Sequence, residues 1–214
     1  MNISQAIFDL KQSLPHEVTL IAVSKTKPIE DLVEAYKAGQ LDFGENKIQE
    51  MVSKWEQLPK DIRWHMIGHV QTNKVKYMAP FVSLIHAIDS TKLLSEIQKQ
   101  AEKNNRIIEG LIQVRIAQED TKYGLPIDEV EAILEFASRC KNVKIKGLMG
   151  MASLSENEIQ IRSEFETIST LYFNLKPHHP SFTYLSMGMS GDYTIALQLG
   201  SNMIRVGSKL FGAR

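Results

Sequence analysis

Cysteine is almost missing from this 214-residue chain: Cys140 stands alone. A single thiol excludes an intramolecular disulfide framework and any metal site built from several cysteines. No apolar run approaches the roughly 20 residues needed to cross a bilayer. Charge of one sign is also lacking. Lys and Arg together number 25, Asp and Glu together number 25, and the formal net charge is zero. A sequence-independent grip on nucleic acid needs excess positive charge along one face, so no nucleic-acid partner is expected. The six histidines show no HExxH or similar ligand spacing, and no metal is expected. The opening segment MNISQAIFDLKQSLP contains acidic Asp9 and lacks a basic start followed by an apolar block. It is therefore not expected to be a secretory signal. No Gly/Ser/Pro-rich linker divides the chain and the seven prolines are scattered. These absences leave one cytoplasmic domain over residues 1–214, long enough to bury a sizeable core.

What is present is alternation. VTLIAVS (18–24) is apolar and β-branched, and IEDLVEAYKAG after Pro28 has apolar residues at helical spacing with Gly39 as its stop. LDFG (41–44), RWHMIG (ending at Gly68), SLIHAID (83–89), IIEGLIQVRIA (107–117), VKIKGLMGM (143–151), FTYLSMG (182–188) and NMIRVG (202–207) repeat the strand pattern. Helical stretches follow most of them, with Ser90 as the cap of one and another running from about Glu156 to Leu175. An amphipathic helix, ISQAIFDLKQSL, precedes the first strand. Eight strand–helix units predict an α/β fold, a (β/α)8 barrel with an extra N-terminal helix. The alternative, an open doubly wound sheet, normally shows GxGxxG after its first strand, and here that turn reads SKTKP.

In such a barrel the chemistry sits just after each strand. That places Lys25 and Lys27, Gly44–Glu45–Asn46, His65 with Gly68, Asp89, Lys122, Met149–Gly150, the Ser186–Gly191 turn, and Arg205 with Gly207 and Ser208 at one mouth. Lys25 ends an apolar strand. Partial desolvation and the nearby Lys27 both lower an amine's pKa and make it nucleophilic. The plainer reading is two solvated loop lysines. SMGMSGD and RVGSKLFG follow the seventh and eighth strands, where such barrels build phosphate sites, and Ser190, Gly207 and Ser208 suit one. The plainer reading there is ordinary Gly/Ser turns. Arg205 lies inside the last strand and needs a ligand or an ion-pair partner. His65 and His86 read as satisfied core histidines, His178–His179 as solvated, the nine methionines as filler and Cys140 as unreactive. A nucleophilic lysine, an anion cradle and an arginine around one mouth suit a phosphate-bearing aldehyde. Pyridoxal 5′-phosphate (PLP) is such a molecule.

AVSKTKP (22–28), FGEN (43–46), WHMIG with QTNK (64–74), SMGMS before Asp192, and the tail blocks MIRVG and LFGAR resemble the YggS/PROSC family of pyridoxal-phosphate homeostasis proteins. The resemblance covers nearly the whole chain. It implies a fold like the N-terminal barrel domain of alanine racemase, with PLP held as an aldimine on Lys25. It further implies that Ser190, Gly207 and Ser208 hold the phosphate, that Arg205 faces the pyridine nitrogen, that Asn46 lies near the cofactor, and that Lys27 is an auxiliary lysine. His69–Val70 and Asn202 depart from the common pattern without touching these positions.

An arginine at the ring nitrogen disfavours its protonation and weakens the electron sink that carbanion chemistry needs. The related two-domain enzymes also use groups from an added β-domain, which this chain is not expected to carry after the barrel. The expected role is a PLP carrier or regulator with no catalytic residues. It is expected to be a monomer, with PLP and PLP-requiring apoenzymes as partners and no membrane association. The alternatives are a small PLP-dependent amino-acid racemase or decarboxylase, and a Schiff-base aldolase-type barrel acting on sugar phosphates without PLP.

Overall fold

Eight short runs of apolar and β-branched residues supply eight parallel strands in a computed structural model that describes residues 2–117 and 123–212. The strands are β1 (Thr19–Val23), β2 (Asp42–Glu45), β3 (Arg63–Met66), β4 (Leu84–Ile88), β5 (Ile108–Val114), β6 (Val143–Gly150), β7 (Tyr184–Ser186) and β8 (Met203–Val206). Each pairs with the next. β8 pairs back onto β1, with Thr19 opposite Met203 and Ile21 opposite Arg205, which closes the barrel. The open-sheet alternative is thereby excluded.

The helices are α1 (Ile3–Ser13), α2 (Ile29–Lys37), α3 (Ile48–Gln57), α4 (Val75–Met78), α5 (Thr91–Lys103), α6 (Val130–Ser138), α7 (Glu158–Leu175), α8 (Tyr193–Gln198) and α9 (Ser208–Phe211). Ser90 caps α5 as read from sequence, its hydroxyl accepting from the Leu93 N–H. α1 buries Ile3, Ile7 and Leu10 and packs on α2 and on the four-residue α9. The extra helix therefore covers barrel surface that the short last helix leaves open. The core includes fully buried Phe43 and Trp64, whose ring centroids are 6.0 Å apart.

Several boundaries move from their expected places. The second strand runs 42–45 rather than 41–44, so Glu45 lies on the strand and is fully buried. α7 starts two residues late because Asn157 caps it, accepting from the Ile159 and Gln160 amides. β7 covers only three of the seven residues expected, and a side chain joins its pairing with the next loop. The Leu185 N–H donates to the Asn202 amide oxygen at 2.8 Å. β6 approaches β7 closely at Gly147, where a Cβ would lie 1.8 Å from the Tyr184 carbonyl oxygen. Among the described residues no helix is long and apolar enough to cross a membrane. None of their His, Cys, Asp and Glu side chains form a group of three that fits a metal.

Candidate cofactor site

The C-terminal ends of the strands open into a cavity of about 510 Å³. Lys25, Asn46, Ser190, Arg205, Gly207 and Ser208, from four different strand ends, all line it. Each was singled out on sequence, and the fold brings them to one place. Lys122 lies outside the described residues.

Lys25 sits half-buried in the turn after β1, and that turn is tied down on both sides. The Ser24 hydroxyl donates to Glu45 Oε1 at 2.6 Å, and the Ser24 carbonyl accepts from Lys54 Nζ at 2.7 Å. The Thr26 N–H donates to Glu50 Oε1 at 2.6 Å. Thr26 has φ 64°, a left-handed conformation that costs a β-branched residue energy and persists only under such restraint. Lys54 holds the cluster together, 2.8 Å from Glu45 and 2.7 Å from Glu50. Burial pushes the Glu45 carboxyl above its usual range, against the pull of Lys54 and Ser24. Glu50 is also partly desolvated, but Lys54 and the Thr26 amide prevail and lower it. Lys27 lines the same cavity, yet its ammonium donates to the carbonyls of Phe211 at 2.8 Å and Gly212 at 3.3 Å. It ties the C-terminal end of α9 to the first loop.

Asn46 follows β2, and Gly68 packs on its backbone. A Cβ at Gly68 would lie 2.4 Å from the Asn46 carbonyl oxygen and 2.8 Å from its Cα. Opposite, the Gly207 N–H donates to Ser190 Oγ at 3.2 Å, joining the two loops of the expected anion cradle. The Asp192 carboxylate accepts from the Met189 amide at 2.5 Å and shapes the first of these loops.

Arg205 is 4% exposed. Its guanidinium donates to the Ser186 carbonyl (2.9 Å), the Ser186 hydroxyl (2.6 Å) and the Gly150 carbonyl (3.0 Å). Among the described residues it has no carboxylate within ion-pair distance, so the structural ion pair considered on sequence is not what holds it. Burial lowers its pKa to about 10 against the pull of the Asp192 carboxylate, and it remains a cation at neutral pH.

His65 and His86 are buried and hydrogen-bonded to each other, as core histidines should be. Cys140 follows α6, where burial pushes its thiol up, consistent with an unreactive cysteine. The sequence reading missed the clamp formed by Glu45, Glu50 and Lys54. It also missed the cavity rim, where the His69 and Tyr123 rings stack at 4.2 Å. The clamp had a signal: Lys54 falls on the same helical stripe as Ile48 and Met51, and a lysine there needs an acid beside it.

The alanine racemase N-terminal domain matches residues 2–214. The chain belongs to this family. Within the family it is similar to pyridoxal phosphate homeostasis proteins, as its sequence motifs suggested. It is 42% identical to that of Vibrio alginolyticus over 94% of this chain and 88% of the relative. It is 40% identical to that of Aquifex aeolicus over 91% and 86%. PipY of Synechococcus elongatus, a family member solved with PLP bound, superposes with a TM-score of 0.90 at 35% identity, covering 98% of this chain and all of that one. Alanine racemase from E. faecalis superposes with a TM-score of 0.76 at 18% identity over 58% of its length, which shows the fold alone.

Proposed function

We propose that this chain binds PLP at the barrel mouth and acts in PLP homeostasis as a carrier or regulator of the cofactor. The observation that carries the reading is the chemistry of the donors around one cavity. An amine (Lys25) stands on a restrained turn, two hydroxyls and a glycine (Ser190, Ser208, Gly207) line a bend, and a buried guanidinium (Arg205) is bonded only to neutral oxygens. That set fits a phosphorylated pyridine aldehyde. The PLP-bound relative of the same fold supports it.

When bound, PLP supplies an aldehyde that condenses with a primary amine and a pyridine ring that draws electrons when its nitrogen is protonated. In this reading Lys25 provides the amine. Ser190, Ser208 and the Gly207 bend hold the phosphate, Asn46 lies beside the ring, and Arg205 meets the ring nitrogen. A guanidinium has no proton acceptor and stays charged at neutral pH, so it disfavours a proton on that nitrogen. The site therefore holds PLP without strengthening it as an electron sink. This supports storage and delivery over amino-acid turnover; in this reading PLP-requiring apoenzymes are the recipients, the cytoplasm is the setting and the protein acts as a monomer.

The decisive experiment is an absorption spectrum of the purified protein with PLP. The wild type should be yellow, and borohydride should fix the cofactor on Lys25, as peptide mass mapping would show. Lys25→Ala should fold and stay colourless; a yellow variant with the same band would overturn the assignment. One observation favours a second reading, a racemase or decarboxylase. His69 lines the cavity with Nδ1 3.2 Å from Asp89, a placement that suits an acid or base. Solvent-deuterium incorporation at Cα across a panel of amino acids separates the two, and the carrier reading expects none.

A further inference from the structure

A line of buried polar groups runs the length of the barrel interior. Arg205 at the mouth donates to Ser186 Oγ at 2.6 Å. Ser186 Oγ lies 3.2 Å from His86 Nδ1, His86 Nε2 lies 3.0 Å from His65 Nδ1, and His65 Nε2 lies 3.0 Å from Asp42 Oδ1. Asp42 and Arg63 begin their strands and line a separate cavity at the opposite, N-terminal end, where the Arg63 guanidinium pairs with both Asp42 oxygens. Serine 186 and both histidines are buried, so water does not interrupt the line.

The chemistry of the end groups sets the direction of every bond. A guanidinium only donates, so Ser186 Oγ accepts from Arg205 and has one hydrogen to place. Its remaining neighbour is His86 Nδ1, and the buried hydroxyl hydrogen is satisfied when that nitrogen accepts it. A neutral His86 then carries its proton on Nε2 and donates to His65 Nδ1. His65 in turn carries its proton on Nε2 and donates to the Asp42 carboxylate, which only accepts. Asp42 is ionised: burial opposes the charge, but Arg63 and His65 overcome it and hold its pKa at about 2. Burial, with the Arg205 cation adding, pulls the His86 imidazole well below its usual value and keeps it neutral. All donors therefore point from the cation at one end to the anion at the other. Bonds aligned this way polarise one another in a low-dielectric interior.

Asp192 is the carboxylate whose charge acts on Arg205 directly; we infer that Asp42 acts on it as a second, remote carboxylate through the hydrogen-bonded line, and that Ser186, His86 and His65 are positioning residues that set how strongly Arg205 donates to whatever occupies the mouth. It gives a charged end to a guanidinium whose own hydrogen bonds all end on neutral oxygens. The link to the pyridine nitrogen rests on the PLP reading above; the direction of the line does not.

Imidazole 15N spectroscopy of histidine-labelled protein tests both parts. Without PLP, His65 and His86 should each appear neutral with the proton on Nε2. A proton on Nδ1 of either ring, or on both nitrogens of His65, overturns the proposal. With PLP, the His86 resonances should shift. Ser186→Ala should displace the absorption maximum of the bound cofactor, and Ser186→Thr, which restores the hydroxyl, should return it. Asp42→Asn should displace it in the same sense as Ser186→Ala. If the protein binds PLP on Lys25 but the histidine resonances and absorption maxima do not move, the coupling is overturned while the PLP reading stands. If the tautomers are as stated but no colour develops, the reading of the mouth fails, and with it the link to the ring.

Discussion

Lys54 donates to the carbonyl oxygen of Ser24 at 2.7 Å, one residue before the proposed attachment lysine. The same ammonium contacts Glu45 and Glu50, whose carboxylates bind the Ser24 hydroxyl and the Thr26 amide. One buried cation thus fixes both neighbours of Lys25. Lys54→Met should leave Glu45 buried without a charged partner and cost about 3–5 kcal/mol in urea unfolding. It should also loosen PLP retention, because the Thr26 conformation loses its restraint. Unchanged stability and retention would show that the cluster does not hold the loop.

Most of the barrel was legible because its signals are local. Strand runs such as IIEGLIQVRIA, the Ser90 cap and the Gly39 stop each follow from a few adjacent residues. The site residues were legible for a related reason: in this fold function gathers just past strand ends, so position along the chain predicts position at the mouth. What was not legible depends on partners distant in sequence. Ser186 and His86 are 100 residues apart, and nothing near either shows that the two would meet inside the barrel. The Asn202 side chain accepts from the Leu185 N–H of β7, a bond that no periodicity reveals. Lys27 reads on sequence as a second cation beside Lys25, and its engagement with the Phe211 carbonyl appears only once the last helix is placed.

The anion cradle makes its own prediction. Ser190 and Ser208 line the cavity from the loops after β7 and β8. Their hydroxyls should contribute charge-assisted bonds to phosphate worth about 1.5–3 kcal/mol each. Ser190→Ala with Ser208→Ala should therefore weaken PLP binding by at least tenfold in equilibrium dialysis while binding of unphosphorylated pyridoxal stays unchanged. Equal loss for both vitamers would place the effect away from the phosphate.

Gly68 has no room for a side chain. A Cβ there would sit 2.4 Å from the Asn46 carbonyl oxygen, and the three nearest atoms are all Asn46 backbone, with no flexible side-chain end to give way. Gly68→Ala should cost about 1–3 kcal/mol through forced backbone shifts. It should also move Asn46, so PLP affinity should fall by more than the stability loss explains. Thermal unfolding and PLP titration of the same preparation check this, and full affinity in the variant would separate Asn46 from the cofactor.

His86 carries a pH signature in folding. Its folded-state pKa is depressed by burial first, with the Arg205 cation adding, from an ordinary value of 6.5. Below that value the unfolded chain takes up a proton that the folded protein refuses. Stability present above the unfolded pKa is therefore lost as the pH falls. The slope approaches about 1.4 kcal/mol per pH unit for one such group. His86→Asn should be less stable overall, since it breaks the line between Ser186 and His65, but it should lack this slope. Between about pH 7.5 and about pH 5.5 the wild type should lose about 1.4 kcal/mol more than the variant in urea unfolding. Parallel stability profiles for the two proteins would mean that His86 accepts a proton in the folded barrel, which would also break the donor order from Arg205 to Asp42.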